Sequence, residues 1–184
     1  TYCLDRWYVL TQTGTIAASQ LTDPETGAVN GIRLTQSQAV AQRMGLAQII
    51  ESANCRDLRS VITTLAGRLR LSTSDNIRYA GLEWTGTADA VTSDVVSNWT
   101  STSYTAGGFF NSTTLNVLAV GQVAAVAATW RDLTALNATL GASANNIIVM
   151  VWTENAAALL NPGDLREYHL LEEHVVSPDG TQVA

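Results

Sequence analysis

Five tryptophans, two histidines, two cysteines and 16 carboxylates are the side chains of this 184-residue chain best able to stack, ligate or catalyse. The aromatics form the strongest group. A sugar ring presents apolar C–H faces that stack on a flat, exposed aromatic, while amides and arginines read its hydroxyls. Trp7 and Trp130 lie in apolar strand patterns and are expected in the core; Trp152 fits either place. Tyr79, Trp84, Trp99 and Tyr104 lie on or near the irregular middle of the chain. They are the candidates for glycan contact, with core or subunit packing as the competing reading.

The other reactive groups argue against catalysis. His169-Leu170-Leu171-Glu172-Glu173-His174 approaches the H-x-x-E-H metalloprotease pattern, but the extra Glu keeps the histidines off a common helical face. No metal site is expected. There is no G-x-S-x-G, and both histidines fall in one strand end, so no nucleophilic triad can be built. Glycoside hydrolysis needs two carboxylates about 5–9.5 Å apart. Glu83, Asp89 and Asp94 offer themselves only by position in sequence. No D-x-D-x-D-G run signals calcium. The expectation is a protein that is not an enzyme and holds no cofactor. Cys3 and Cys55 allow a single pairing, and an intrachain disulfide, free thiols and an intersubunit bond all stay open. The N-x-[ST] sites at Asn98, Asn111 and Asn137 are what a Ser/Thr-rich chain yields by chance.

Charge excludes further classes. The net charge is −6, and only 14% of residues are charged. All ten basic residues are Arg; without Lys, neither Schiff-base nor P-loop lysine chemistry is open. An acidic chain with dispersed arginines lacks the basic stripe that neutralises phosphates, so no nucleic-acid partner is expected. The apolar runs 117–128 and 147–152 fall short of the roughly 20 residues of a membrane helix. The 46% hydrophobic content can fill a core without staples, in what reads as one domain spanning 1–184.

The elements that must position these residues read as strands nearly throughout. They are Leu4–Leu10, Val29–Thr35, Met44–Glu51, Val61–Leu71, Ile77–Thr85, Leu115–Ala128 with a break at Gly121, Arg131–Leu140, Asn146–Thr153 and Leu165–Glu172. In the fourth, Val61, Thr63, Leu65, Gly67, Leu69 and Leu71 share one face, while Arg68 and Arg70 look outward. Ile147–Trp152 is apolar on both faces, as a central strand covered on both sides would be. Short helices are expected at Asn54–Arg59, capped by Asn54, and at Thr92–Trp99, capped by Thr92. Asn155–Leu160 reads as a helical turn or an Ala-rich loop. The sum is an all-β, antiparallel two-sheet sandwich of jelly-roll type with one or two short helices.

Several motifs, in order, resemble those of a jelly-roll family found in tailed-bacteriophage structural proteins. Tyr2-Cys3-Leu4-Asp5-Arg6-Trp7 resembles its Y-x-x-D-R-W signature, and Gln48-Ile49-Ile50-Glu51 its Q-x-I-E strand. Leu65 to Ser72 is similar to its L-x-G-x-x-x-x-S strand, and Trp84 to Asp89 and Asp94 to Trp99 to an insertion in phage members. Ala144 to Ile147 followed by Trp152 to Glu154 resembles another of its strands, and Leu165 to Glu172 is similar to its closing L-x-x-x-x-x-L-E strand. The resemblance implies a carbohydrate-binding-module-like sandwich in a tail fibre, tail tip or capsid decoration, often trimeric. Asp5, Arg6 and Trp7 could form a binding site, but the structural reading is preferred, with Trp7 filling the core and Asp5 and Arg6 pinning neighbouring backbone or each other. A virion matured in the cytoplasm would keep its thiols reduced. The family's N-G-x-x-x-x-Q-R-G strand is absent before Tyr2, so a first strand or N-terminal segment is expected upstream. The C-terminal Leu171-Glu172-Glu173-His174 departs from the family's L-E-x-G ending. The leading expectation is an oligomeric, non-enzymatic module of a tail fibre or receptor-binding structure on the virion surface, beside other virion proteins. A capsid-decoration or head-fibre protein and a glycan-binding module attached to an enzyme are the alternatives. A host-surface glycan is the expected ligand class.

Overall fold

The computed structural model describes residues 7–20, 31–92, 94–112 and 114–155, and by backbone alone 2–4, 21 and 166–176. Among the described residues there are twelve strands: β1 (Tyr2–Leu4), β2 (Trp7–Thr11), β3 (Ala17–Leu21), β4 (Gly31–Gln36), β5 (Met44–Ile50), β6 (Ile62–Leu71), β7 (Asp75–Trp84), β8 (Leu115–Ala125), β9 (Arg131–Asp132), β10 (Leu136–Thr139), β11 (Asn146–Thr153) and β12 (Arg166–Val176). They pair antiparallel in two sheets. The first runs β1-β2-β5-β11-β7-β8, and the second β10-β6-β12-β4-β3 with β9 also on β6. The expected antiparallel β-sandwich is the fold.

Alternation explains which side chains pack between the sheets. From the first sheet, Val9, Leu46, Tyr79, Ile147, Val149 and Val151 point inward; Ile32, Leu34, Leu65, Leu69 and Leu71 meet them from the second. Trp7 packs against this cluster, as expected. Trp130 does not. It is half-exposed, with the Arg68 guanidinium 6.0 Å above its ring.

β11 is buried at all eight positions. Its even-numbered apolar residues, Ile148, Met150 and Trp152, face away from the sandwich and form a second core with Ala47, Ala80, Leu82, Val95, Phe109, Phe110 and Leu115. The cover of this face is the long β7–β8 connection, residues 85–114. Small residues on the sheet make room for it. Gly45 pairs with Trp152, and a Cβ added there would lie 2.7 Å from the Val151 carbonyl oxygen and 2.8 Å from Trp152 Cβ.

Several elements differ from the sequence reading. Leu4–Leu10 is two antiparallel strands, β1 and β2, because the chain reverses between Leu4 and Trp7. The stretch from Leu115 ends at Ala125 and is unbroken at Gly121, whose missing side chain leaves room for the Tyr79 ring across the strand pair. Arg131–Leu140 divides into β9 and β10. The first helix is a single α turn, α1 (Ser52–Cys55), continued as a 3₁₀ turn over Arg56–Leu58; Glu51, not Asn54, precedes it.

Thr92–Trp99 is not a helix. The Thr92 hydroxyl accepts from the Asp94 N–H at 3.4 Å, as a cap would, but the chain does not wind on. Ser97 and Asn98 both donate to the Phe109 carbonyl, and Asn111 donates to that of Val95. Tertiary hydrogen bonds replace the i to i−4 ladder in a Ser-, Asp- and Val-containing stretch of weak helix propensity. Residues 156–160 of the Ala-rich stretch lie outside the described residues.

Because Gly45 sits against fixed backbone, Gly45→Ala is expected to cost about 1–3 kcal/mol through overpacking. Urea unfolding measures it, and a variant as stable as the parent would contradict the tight seat of Trp152.

Candidate functional site

The four aromatic candidates part company in the structure. Tyr79 is fully buried between the sheets, and its hydroxyl donates to the Thr134 carbonyl at 2.7 Å. Burial raises its pKa, with the Thr134 hydrogen bond opposing. It leaves the set of surface residues: in β7 its position alternates inward, which the irregular neighbourhood in sequence had masked.

Trp99 and Tyr104 are half-buried and belong to an aromatic cluster over β11. Phe109 is its hub. It stacks on Trp152 at 5.0 Å with 18° between planes, and takes Trp99, Tyr104 and Phe110 edge-on at 5.0–5.7 Å. These are the offset and T-shaped arrangements that ring quadrupoles favour. Two arginines hold the loop down. Arg78 places its guanidinium 4.2 Å from the Tyr104 ring centroid and forks onto Glu154 at 2.6 and 3.0 Å. Arg43 donates to the carbonyls of Trp99 and Ser101. The stacking surface of Trp152 is therefore occupied by the chain itself.

Trp84 is different. It ends β7 half-buried, its indole N–H donating to the Thr87 carbonyl at 2.9 Å. Gly86 lies against the ring; an added Cβ would approach it to 2.5 Å. Beside this ring is an open pocket of about 110 Å³. Trp84, Val91, Val95 and Leu115 give it apolar walls, and Thr92, Asp94, Asn111 and Ser112 give it hydroxyl, carboxylate and amide groups. Asp94 is exposed, and Asn111 is steadied by donating from Nδ2 to the Asp94 carbonyl at 2.6 Å. An aromatic wall facing hydroxyl-matching acceptors and donors suits the edge of a single sugar ring. Pockets for larger ligands run to roughly 300–1,000 Å³. The sequence pointed to Trp84 but not to Thr92, Asn111 or Ser112, which reach the pocket from two limbs of one loop.

The other carboxylates near Trp84 are structural. Glu83 is nearly buried; it accepts from Gly141 N at 2.7 Å and Asn116 Nδ2 at 3.1 Å. Asp89 accepts from the Ser52 N–H and hydroxyl at 2.8 and 2.6 Å and from Asn146 Nδ2 at 2.8 Å. Those bonds from Ser52, then Asn146, hold its carboxyl below the usual range. Asn146 also donates to the Ile50 carbonyl, so the Trp84–Asp89 turn is tied to α1 and to the start of β11. Arg59 extends the tie to Ala144 O and Asn145 Oδ1 at 2.6 and 2.8 Å.

Cys55 is a buried free thiol. Burial pushes its pKa up to about 11, opposed by the Ile147 N–H that points at its sulfur from 3.2 Å. A thiol held protonated in this way is a poor nucleophile. The Cys3 side chain, and Asp5 and Arg6, lie outside the described residues, as do the side chains of His169 and His174. Among the described residues no three His, Cys, Asp or Glu side chains cluster as a metal site would require.

No family model matches the chain, and no curated protein matches it. Solved structures do match in shape. The N-terminal CBM22-1–GH10 modules of Clostridium thermocellum xylanase 10B, complexed with xylohexaose, align over 97% of this chain and 27% of that one, with 10% identity and TM-score 0.57. The C-terminal family 22 carbohydrate-binding module of the same enzyme aligns over 97% and 89%, with 9% identity and TM-score 0.53. TmCBM61, in complex with β-1,4-galactotriose, aligns over 93% and 88%, with 11% identity and TM-score 0.52. The chain has the carbohydrate-binding-module sandwich fold. At these identities the likeness is one of fold.

Asp89 has a positive φ of 58°, a conformation Asn also tolerates, so Asp89→Asn isolates the charge. A carboxylate with a lowered folded-state pKa contributes stability that is present above its unfolded value, near pH 4, and lost as pH falls through the folded value. Asp89→Asn should therefore melt below the parent at neutral pH, with the gap closing on acidification below about pH 4. Melting temperature against pH measures this; a gap independent of pH would contradict it.

Proposed function

We propose that this chain is a non-enzymatic, surface-displayed sandwich module of a phage tail fibre or receptor-binding structure, touching a host glycan through the Trp84 pocket. The observation that carries the glycan contact is the pocket itself. Among the four aromatic candidates, only Trp84 combines an accessible wall with open polar groups. The carbohydrate-binding-module fold supports the ligand class, since structural neighbours were solved with xylohexaose and β-1,4-galactotriose. The ordered phage-like motifs support the virion setting. The structural engagement of Glu83 and Asp89 supports the non-enzymatic reading.

A glycan array of bacterial surface polysaccharides tests the contact. The parent should bind a defined set of chain ends. Trp84→Ala should weaken that binding by about tenfold, the value of one stacked aromatic contact. Asp94→Ala, a change at an exposed position, should weaken it while leaving the melting temperature unchanged. Absence of parent binding, or equal binding by both variants, would contradict the proposal. Immunogold labelling of particles carrying the chain tests the setting: label at the tail supports it, and label on the capsid lattice favours decoration.

A second reading has its own support. A structural neighbour is a module joined to a glycoside hydrolase. If the chain occurs fused to a catalytic domain outside any particle, the same pocket would target that enzyme.

A further inference from the structure

The two sheets end on four edges of unequal length. β1 has three residues, β10 four and β3 five, whereas β8 has 11. An unpaired edge is a template for another strand, and proteins blunt it with brevity, charge, proline or bulges. β1, β10 and β3 are short. β8 is long, and no Asp, Glu, Lys, Arg, His or Pro occurs anywhere between Asp94 and Arg131. Its one irregularity is an extra residue at Leu118, where the register steps from Gly81↔Ala119 to Leu82↔Val117. From Ala119 to Ala125 it pairs with β7 residue for residue, and its other side meets no strand among the described residues. On the outer face of its C-terminal half Gln122 and Ala124 are exposed, Gln122 donating to Glu154 at 2.7 Å, and Val126, the first residue past the strand, is 46% exposed. β10, the edge of the second sheet that packs beside β8, is also uncharged.

We infer that β8 is the contact through which two copies of this chain pair, edge to edge and antiparallel, joining their first sheets into one. The occupant follows from charge and symmetry. Each copy carries a net charge of −6, so two copies repel over most approaches. This neutral flank is where that repulsion is least. An antiparallel edge meeting itself about a two-fold axis is self-complementary without any matched partner sequence. The result is a two-fold dimer, not the three-fold ring that the family resemblance implies. Its regular stretch, Ala119–Ala125, lies outside the Trp84 pocket, which β8 reaches only at Leu115, so it stands apart from the glycan reading.

Light scattering after size exclusion tests it on the chain as it is. The parent should have twice the 19.6 kDa chain mass at micromolar concentration. Ala124→Lys combined with Val126→Lys, the charges that natural edges use, should give monomer with an unchanged melting temperature. Ile62→Lys, at a site 55% exposed on the second sheet, should remain dimeric. A monomeric or trimeric parent would overturn the proposal, as would a dimeric double-lysine variant or dissociation by Ile62→Lys. Amide exchange of the parent gives an independent reading. Protection within Ala119–Ala125 should rise with protein concentration, and protection that ignores concentration would overturn the pairing.

Discussion

Burial of Trp152 under Phe109 is the interaction on which the rest of the molecule turns. β11 carries apolar side chains on both faces, so the central strand needs two covers. The second sheet supplies one. The other is an irregular connection of a length rarely ordered without secondary structure of its own. Ordering its backbone costs conformational entropy, and the apolar ring surface it buries against the sheet opposes that cost. Phe109, Phe110 and Val95 are its buried anchors, and Arg43 and Arg78 clamp its carbonyls and Tyr104. Small residues beneath, Gly45, Ala47 and Ala80, set the depth at which those rings sit.

That arrangement decides where a ligand could go. With the broad face of the first sheet filled by the chain's own aromatics, accessible aromatic surface beside exposed polar groups moves to the end of β7, at Trp84. The same network uses arginine as a planar fork at two places: Arg59 reaches Ala144 O from Nε and Asn145 Oδ1 from Nη2, and Arg78 holds Glu154 from Nε and Nη2 while lying against the Tyr104 ring.

Much of this was legible in the residues. Period-two alternation located β4, β6 and β7, and the uninterrupted apolar run located β11 and required a cover on each side. The nature of the second cover was not legible. Val95, Val96 and Trp99 have helical spacing, but the backbone of this stretch bonds across the loop: the Val95 carbonyl accepts from the Asn111 N–H, Val96 bridges Phe110, and Ser97 and Asn98 donate to the Phe109 carbonyl. Tyr79 and Trp84 are both aromatics of one strand; a difference of one in parity sends the first inward and the second outward. The pocket was legible only in Trp84, because its polar groups come from positions 92, 94, 111 and 112, which no local pattern joins. The Leu4–Leu10 run concealed a reversal because its alternation reads as one continuous strand, whereas β1 and β2 pair antiparallel.

The central claim is that the 85–114 connection is a permanent layer of the core, not a lid over a binding face. Hydrogen exchange at the Trp152 indole N–H tests it most directly, since this N–H is buried beneath the layer. The account predicts that it exchanges only with global unfolding, with the same denaturant dependence as the core amides of β11. Exchange through a smaller opening, while those amides stay protected, would contradict it.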